Sequence, residues 1–210
     1  MELAGDRPSG VQPVQPGAPR GVVSVQVGRA RRVPMAGRNV LTGMVKQGAN
    51  GDVPVMPLGL LGDEQADLSI HGGLEKAVYA YPAEHYAFWQ AARRERGLDL
   101  IDASLPHGSL GENLTLQGLP ETEVWAGDVL RFPRCELQVR IPREPCYKLN
   151  AALGFAQASR MMASSGFCGF YLSVLTPGSI AAGESFDLLP GRRSVSIPQL
   201  FAARMSKHLR

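Results

Sequence analysis

At 210 residues and 22.6 kDa, 44% hydrophobic and 20% charged, the chain is long enough to bury one core. That composition excludes the low-hydrophobicity, high-charge class of disordered proteins. A net charge of +3 sets no expectation of nucleic acid, and the Arg-rich pieces (Arg29, Arg31, Arg32; Arg93, Arg94, Arg96; Arg192, Arg193) read as solvated surface. The longest uncharged apolar stretch, Phe167 to Leu175, is about half of what a membrane-spanning helix needs. Met1 to Arg20 has no apolar core that would signal export, and three cysteines without a CxxC pair predict free thiols in a reducing cytoplasm.

Taken in chain order, residues 1–20 are expected to be a flexible tail, because Pro8, Pro13, Pro16 and Pro19 interrupt any regular element. Frequent glycines and prolines then punctuate short apolar runs that read as strands: Val22 to Val27, Val40 to Val45, Ala77 to Tyr81, Leu114 to Leu116, Val129 to Phe132, Leu137 to Ile141, Phe170 to Leu175 and Phe186 to Leu189. Alternation in Val23-Ser24-Val25-Gln26-Val27 and Leu137-Gln138-Val139-Arg140-Ile141 predicts half-buried antiparallel strands. Helices are predicted over Ala83 to Arg96, with Pro82 leading in and Gly97 as a stop, over Phe155 to Ser164, and from near Ser196 with Ile197, Leu200, Phe201 and Met205 on one face. The pattern predicts a mainly β (α+β) fold, a barrel with a few peripheral helices over residues 21–190, followed by an amphipathic helix in 191–210.

Two segments carry the chemistry. In Pro142-Arg143-Glu144-Pro145-Cys146-Tyr147-Lys148-Leu149-Asn150, two prolines stiffen a loop that sets Cys146 between the cations Arg143 and Lys148. Cations favour thiolate, the nucleophilic and soft-metal-binding form, although a merely packed cysteine fits the local sequence equally. Cys135 and Cys168 lie in or beside predicted strands and read as packing residues. In Ile70-His71-Gly72-Gly73 the adjacent glycines allow close backbone approach, with amides that face an anion; a tight turn with an exposed His71 is the plainer reading. Glu112-Asn113 places a carboxylate and an amide at a strand start, and His85 reads as structural. Walker, GxGxxG, HExxH and nucleophile-elbow motifs are absent.

In order along the chain, Leu61-Gly62-Asp63-Glu64-Gln65-Ala66-Asp67, Ile70-His71-Gly72-Gly73, Tyr81-Pro82-Ala83-Glu84-His85-Tyr86, Gly108-Ser109-Leu110-Gly111-Glu112-Asn113-Leu114 and the Cys146 segment resemble the MOSC domain, the C-terminal module of molybdenum cofactor sulfurases, in its YiiM-like bacterial branch. Gly169-Phe170-Tyr171, Thr176-Pro177-Gly178 and Ala182-Gly183-Glu184 extend the resemblance, which covers about residues 22–190. It implies a β-barrel-like fold and the molybdenum cofactor (molybdopterin), with Cys146 as molybdenum ligand and Gly72, Gly73, Glu112, Asn113, Arg143 and Lys148 toward the cofactor. His71 and Glu112 are the candidates for proton relay or cofactor hydrogen bonding. Such members reduce N-hydroxylated small molecules, hydroxylaminopurines and amidoximes, with an external electron-donor protein restoring the electrons. A homodimer is among the expected assemblies; nucleic acid and membrane are not expected partners. The branch often continues into a three-helix appendage, of which Ser194 to Arg210 would supply one helix, its apolar face needing the barrel or another subunit as cover.

Other functions for Cys146 remain open on sequence alone. It suits a sulfur carrier that receives a persulfide from a separate pyridoxal-phosphate desulfurase. A Cys146–His71 hydrolase and a cofactor-binding module without turnover are further alternatives.

Overall fold

In the computed structural model, which describes residues 19–35, 37–66, 72–98 and 104–208, the chain begins in β1 (Gly21–Val27) and turns into a hairpin of β2 (Arg31–Met35) and β3 (Arg38–Thr42). Short strands β4 (Gln47–Gly48), β5 (Val53–Met56) and β6 (Gly59–Leu60) follow. Next come β7 (Val78–Pro82), helix α1 (Tyr86–Arg94), β8 (Leu114–Gln117), β9 (Val129–Arg131) and β10 (Glu136–Pro142). Helices α2 (Tyr147–Leu153) and α3 (Ala158–Ser165), strands β11 (Phe170–Thr176), β12 (Gly178–Ile180) and β13 (Asp187–Leu189), and helix α4 (Ile197–His208) complete the order.

Eight strands form one sheet in the order β13-β9-β10-β11-β7-β8-β1-β4, antiparallel throughout except for the parallel pair β7–β8. Strand β7 lies inside it and every one of its five residues, Val-Tyr-Ala-Tyr-Pro, is buried, which explains its unbroken apolar run. Strand β10 shows the predicted alternation, with Leu137 and Val139 fully buried.

The barrel expected from the sequence is an open sheet. Along one edge β1 pairs with β8; along the other, its far end takes β4 while Gly21 makes an isolated bridge to Ser185, just before β13. Val22 N–H donates to the Glu184 carbonyl at 2.8 Å and Gly183 N–H to the Val22 carbonyl at 2.7 Å. The second edge of β1 is thus divided between two partners, so the sheet ends meet at a bridge where a barrel would need a full ladder.

Helix α1 starts one turn later than predicted, after a 3-10 turn over Ala83–His85, and buries Tyr86, Trp89 and Ala92 on its inner face. Arg93 and Arg94 occupy its last turn, where cations offset the helix dipole, and Gly97 at φ +66° ends the segment. Helix α4 buries Ile197 and Phe201 against the core and packs on β10, so the chain's own sheet covers its apolar face.

Candidate functional site

The sheet delivers Cys146 through a rigid junction. Strand β10 ends at Pro142, and Cys146, at φ −138° and ψ 165°, is the extended residue that caps α2. The stiff loop expected to hold Cys146 runs from Arg143 to Cys146, and from Tyr147 the chain forms this seven-residue helix, held down by the fully buried Leu149 and Leu153 and ended by Gly154 in the left-handed region. The Asn150 side chain accepts the Ser159 N–H at 2.7 Å and ties α2 to α3. Cys146 therefore stands half-buried between two anchored elements.

It faces a cleft lined also by Arg143, Glu144, Lys148, Thr42, Met44, Lys46, Asp63, Lys76, Tyr79, Gly111, Asn113 and Tyr171. Four of these are cations, drawn from separate elements. Arg143 is buried; its guanidinium donates to the Leu110 carbonyl, lies 5.0 Å above the centroid of the Tyr79 ring and reaches the Tyr79 hydroxyl at 3.4 Å. The Tyr79 hydroxyl in turn donates to the Cys168 carbonyl at 2.8 Å. That contact requires a tight approach at Gly169, where φ is +62° and a Cβ would fall 2.4 Å from the Ala80 carbonyl oxygen.

Lys46 pairs with Asp63, and each side chain is only 6% exposed. Asp63 also accepts the Gly28 N–H at 2.8 Å. Burial lowers the Lys46 pKa, and the attraction of Asp63 opposes that shift. Lys148 donates to the Leu41 carbonyl at 3.2 Å, binding α2 to the β2–β3 hairpin, and Glu144 pairs with Arg204 of α4. Tyr79 and Tyr171 have pKa values raised by burial, so both stay neutral phenols.

Of the residues singled out from the sequence, Cys146, Arg143, Lys148 and Asn113 line this one cleft. Asn113 also ties strands together: its Oδ1 accepts the Tyr79 N–H at 3.0 Å and its Nδ2 donates to the Gln26 carbonyl at 3.2 Å. Glu112 points elsewhere. It is fully buried, outside the cleft lining, and its carboxylate accepts from Tyr86, the Gly108 and Leu110 amides and Thr115, which leaves it no role as a proton relay at the cleft. Gly72 and Gly73 are half-buried and lie outside the lining; the Gly73 N–H expected to face an anion donates to the Gln65 side chain at 2.8 Å. His71 lies outside the described residues.

Sequence reasoning did not assign Lys46, Asp63, Lys76, Tyr79 or Tyr171. Asp63 sits in the quoted Leu61 to Asp67 motif, and a lone lysine in the uncharged stretch from Asn39 to Gly51 was the available signal for Lys46. The two tyrosines read as core, being in strands.

A second polar cluster lies behind the cleft. His85 Nε2 is 2.6 Å from Glu121 Oε2, both side chains are buried, and Glu121 Oε1 accepts the Gly169 N–H at 2.6 Å. The His85 ring stacks on Phe167 at 3.9 Å. This cluster is closed off by aromatic rings and makes the structural use of His85 predicted from sequence.

Among the described residues no group of three His, Cys, Asp or Glu side chains is placed to hold a metal ion, and no helix is long and apolar enough to cross a membrane. The cleft thus offers one thiol, with the Met44 thioether also in the lining, among four cations and the carboxylates Asp63, Glu64 and Glu144, a set that can take a metal arriving with its own anionic organic ligand.

The sequence signature of the MOSC domain matches residues 67–187. The uncharacterized protein YflK of Bacillus subtilis (strain 168) is 36% identical over 188 residues, covering 89% of this chain and 80% of its own length. Protein YiiM of Escherichia coli (strain K12) is 35% identical over 160 residues, 76% of this chain and 68% of its own. A protein of Gibberella moniliformis (strain M3125 / FGSC 7600) named "Reductase" is 33% identical over 169 residues, 80% of this chain but 29% of its own length. The crystal structure of YiiM from Geobacillus stearothermophilus superposes with a TM-score of 0.71 at 29% identity, covering 90% of this chain and 85% of that one.

Proposed function

The chain belongs to the MOSC domain family, in its YiiM-like branch, and from that premise we propose that its cleft holds the molybdenum cofactor and reduces N-hydroxylated small molecules to amines. The observation that carries this reading is the convergence of the half-buried Cys146 thiol with Arg143, Lys148, Lys46 and Lys76 on one cleft. A thiolate is the soft ligand molybdenum takes, and the cations match the negative charge of a dithiolene and a phosphate. The name of the Gibberella relative supports a reductive activity.

When bound, the cofactor supplies the electron chemistry of the overall change R–NHOH + 2 e⁻ + 2 H⁺ → R–NH₂ + H₂O, with the electrons restored by an external donor protein. The chain's own side chains do the rest. Arg143, fixed by Leu110 and Tyr79, presents a permanent positive charge that does not move on binding. Protons come from an acid whose pKa lies near the working pH. Burial makes Tyr79 and Tyr171 poorer acids and Lys46 a better one, so Lys46, oriented by Asp63, is assigned proton delivery at the cleft, with His71 as the further candidate from its motif. Asn113 holds the strands that carry Tyr79 in register and thereby keeps Arg143 in place.

The test is turnover of a hydroxylaminopurine and an amidoxime by cofactor-loaded protein with a chemical reductant. Amine formation that disappears in Cys146→Ala supports the reading. Amine formation unchanged in that variant, or absent from wild type that carries stoichiometric molybdenum, overturns it.

A further inference from the structure

Four polar side chains converge on the link between α3 and β11, residues 166–169. Glu121 accepts the Gly169 N–H at 2.6 Å, the Tyr79 hydroxyl donates to the Cys168 carbonyl at 2.8 Å, and the Tyr81 hydroxyl donates to the Phe167 carbonyl at 3.1 Å. The His85 ring stacks on Phe167 with centroids 3.9 Å and planes 11° apart, and its Nε2 is 2.6 Å from the other Glu121 oxygen. Its Nδ1 meets no partner among the described residues, so the polar contact of the ring is confined to that carboxylate. Gly169 lets both tyrosine rings close on the link: a Cβ there would fall 2.8 Å from Tyr79 and 2.9 Å from Tyr81.

So many bonds exceed what a connection between a helix and a strand needs. Nor is a buried polar pair a source of stability in itself, since apolar side chains of similar volume commonly do as well. Its effect lies one bond further on. The proton of the Tyr79 hydroxyl is committed to the Cys168 carbonyl, so the oxygen can only accept from Arg143. Burial keeps that proton on the phenol. Besides a weak contact to the Met44 sulfur at 3.7 Å, Arg143 has two anchors, this oxygen at 3.4 Å and the Leu110 carbonyl. A guanidinium with one anchor pivots; with two, its plane is fixed over the Tyr79 ring in the lining of the cleft.

We infer that Glu121 is a positioning residue of the cleft. Seated by His85, it holds Gly169; the Cys168 carbonyl is thereby fixed and orients the Tyr79 hydroxyl, which sets the plane of Arg143. The inference rests on reading the ligand that Arg143 meets as the anionic cofactor.

The experiment reads the Arg143 guanidinium by heteronuclear NMR in unloaded protein, with its signals assigned from Arg143→Lys, and turnover of a hydroxylaminopurine in loaded protein. Slow rotation in wild type is expected to leave separate Nη–H signals. The double variant His85→Phe, Glu121→Leu keeps a ring on Phe167, strands no charge and removes the Gly169 acceptor. Tyr79→Phe removes only the last oxygen. Each is expected to speed guanidinium rotation about tenfold or more, the effect of losing one hydrogen bond to a charged group. Combining them is expected to add nothing to Tyr79→Phe alone, because both cut one series. Glu121→Gln, which keeps the acceptor, is expected to stay near wild type. Loaded, the double variant is expected to keep its molybdenum and turn over about tenfold more slowly.

An averaged Arg143 signal in wild type, or signals unchanged in the double variant whatever its melting midpoint, overturns the inference. So do additive effects in the combined variant, or unchanged turnover beside a loosened Arg143. If the double variant does not fold, Glu121→Asp carries the same expectations, because it keeps the charge beside His85 but is one carbon too short to hold Gly169 as well. If loaded wild type turns nothing over, the reading of the cleft fails, and the Arg143 signals still decide the tether.

Discussion

Two polar regions share strand β7 of this protein, and they are built to opposite ends. Around Glu112 and around the His85–Glu121 pair, every carboxylate oxygen is met by a protein donor or by His85, and aromatic rings shut out solvent. Around Cys146, Arg143 and the Lys46–Asp63 pair are also largely buried and partnered, but they line an open cleft together with the half-buried thiol. Burial of charge is common to both. What separates a scaffold from a candidate site here is whether the partnered charges border an open cleft or a closed core.

The comparison is broken most directly by exchanging the roles. Replacing Cys146 by alanine is expected to lower N-hydroxyl reduction more than about a hundredfold while leaving the melting midpoint unchanged, because the side chain supports no packing that Leu149 and Leu153 do not already supply. Glu112→Ala is expected to do the reverse. It strands four donors in a dry core and costs about 3 kcal/mol or more in urea unfolding, with the folded fraction keeping its molybdenum. A Glu112 variant as stable as wild type that has lost its molybdenum would move Glu112 into the site.

A smaller effect tests the cleft's acid. If Lys46 delivers the proton, the rate falls as pH rises through its pKa, which burial brings below 10.5. Lys46→Met is expected to remove that limb of the profile and lower the plateau rate about tenfold or more; an unaltered profile would leave proton delivery to another group. The smallest effect concerns the thiols. Brief alkylation of folded protein is expected to label Cys146 and spare the buried Cys135 and Cys168, read by peptide mass. Burial pushes the Cys135 thiol from 9.0 up to about 11. An unfolded chain loses that proton near pH 9 while the fold retains it, so stability declines between pH 9 and about 11, and Cys135→Ala should flatten the decline.

Much of this architecture was legible because its signals are local. Apolar runs and alternation located β1 and β7 to β11, and Pro82, Gly97 and Gly166 marked the limits of α1 and α3. Helix α2 escaped because seven residues with two buried leucines make too short a period to see beside a proline loop. Strand β2 carries two arginines and Pro34, which argue against a strand unless it lies in an exposed hairpin, as it does. Whether the sheet closes depends on which partner takes the second edge of β1, a matter of register that no local window contains.

The same division runs through the site. Cys146, Arg143 and Lys148 were visible as a thiol with cations two and three residues away. Lys46, Tyr79 and Tyr171 reach the cleft from three separate elements, and only folding brings them there. Glu112 and Asn113 are neighbours in one motif, yet Asn113 lines the cleft and Glu112 turns into the core to hold the Gly108–Leu110 turn. Both residues lie in the turn that leads into β8, where successive side chains follow the turn's own hydrogen bonds, so a motif names residues without saying which side they serve.

The proposed site stands or falls on Cys146 as the metal ligand. Its most direct test is the molybdenum content of freshly purified protein from a cofactor-competent host, wild type beside Cys146→Ala, both checked for an intact fold. Wild type is expected to carry close to one molybdenum per chain and the variant none. Equal metal in both proteins, or none in a wild type given the cofactor, would contradict it.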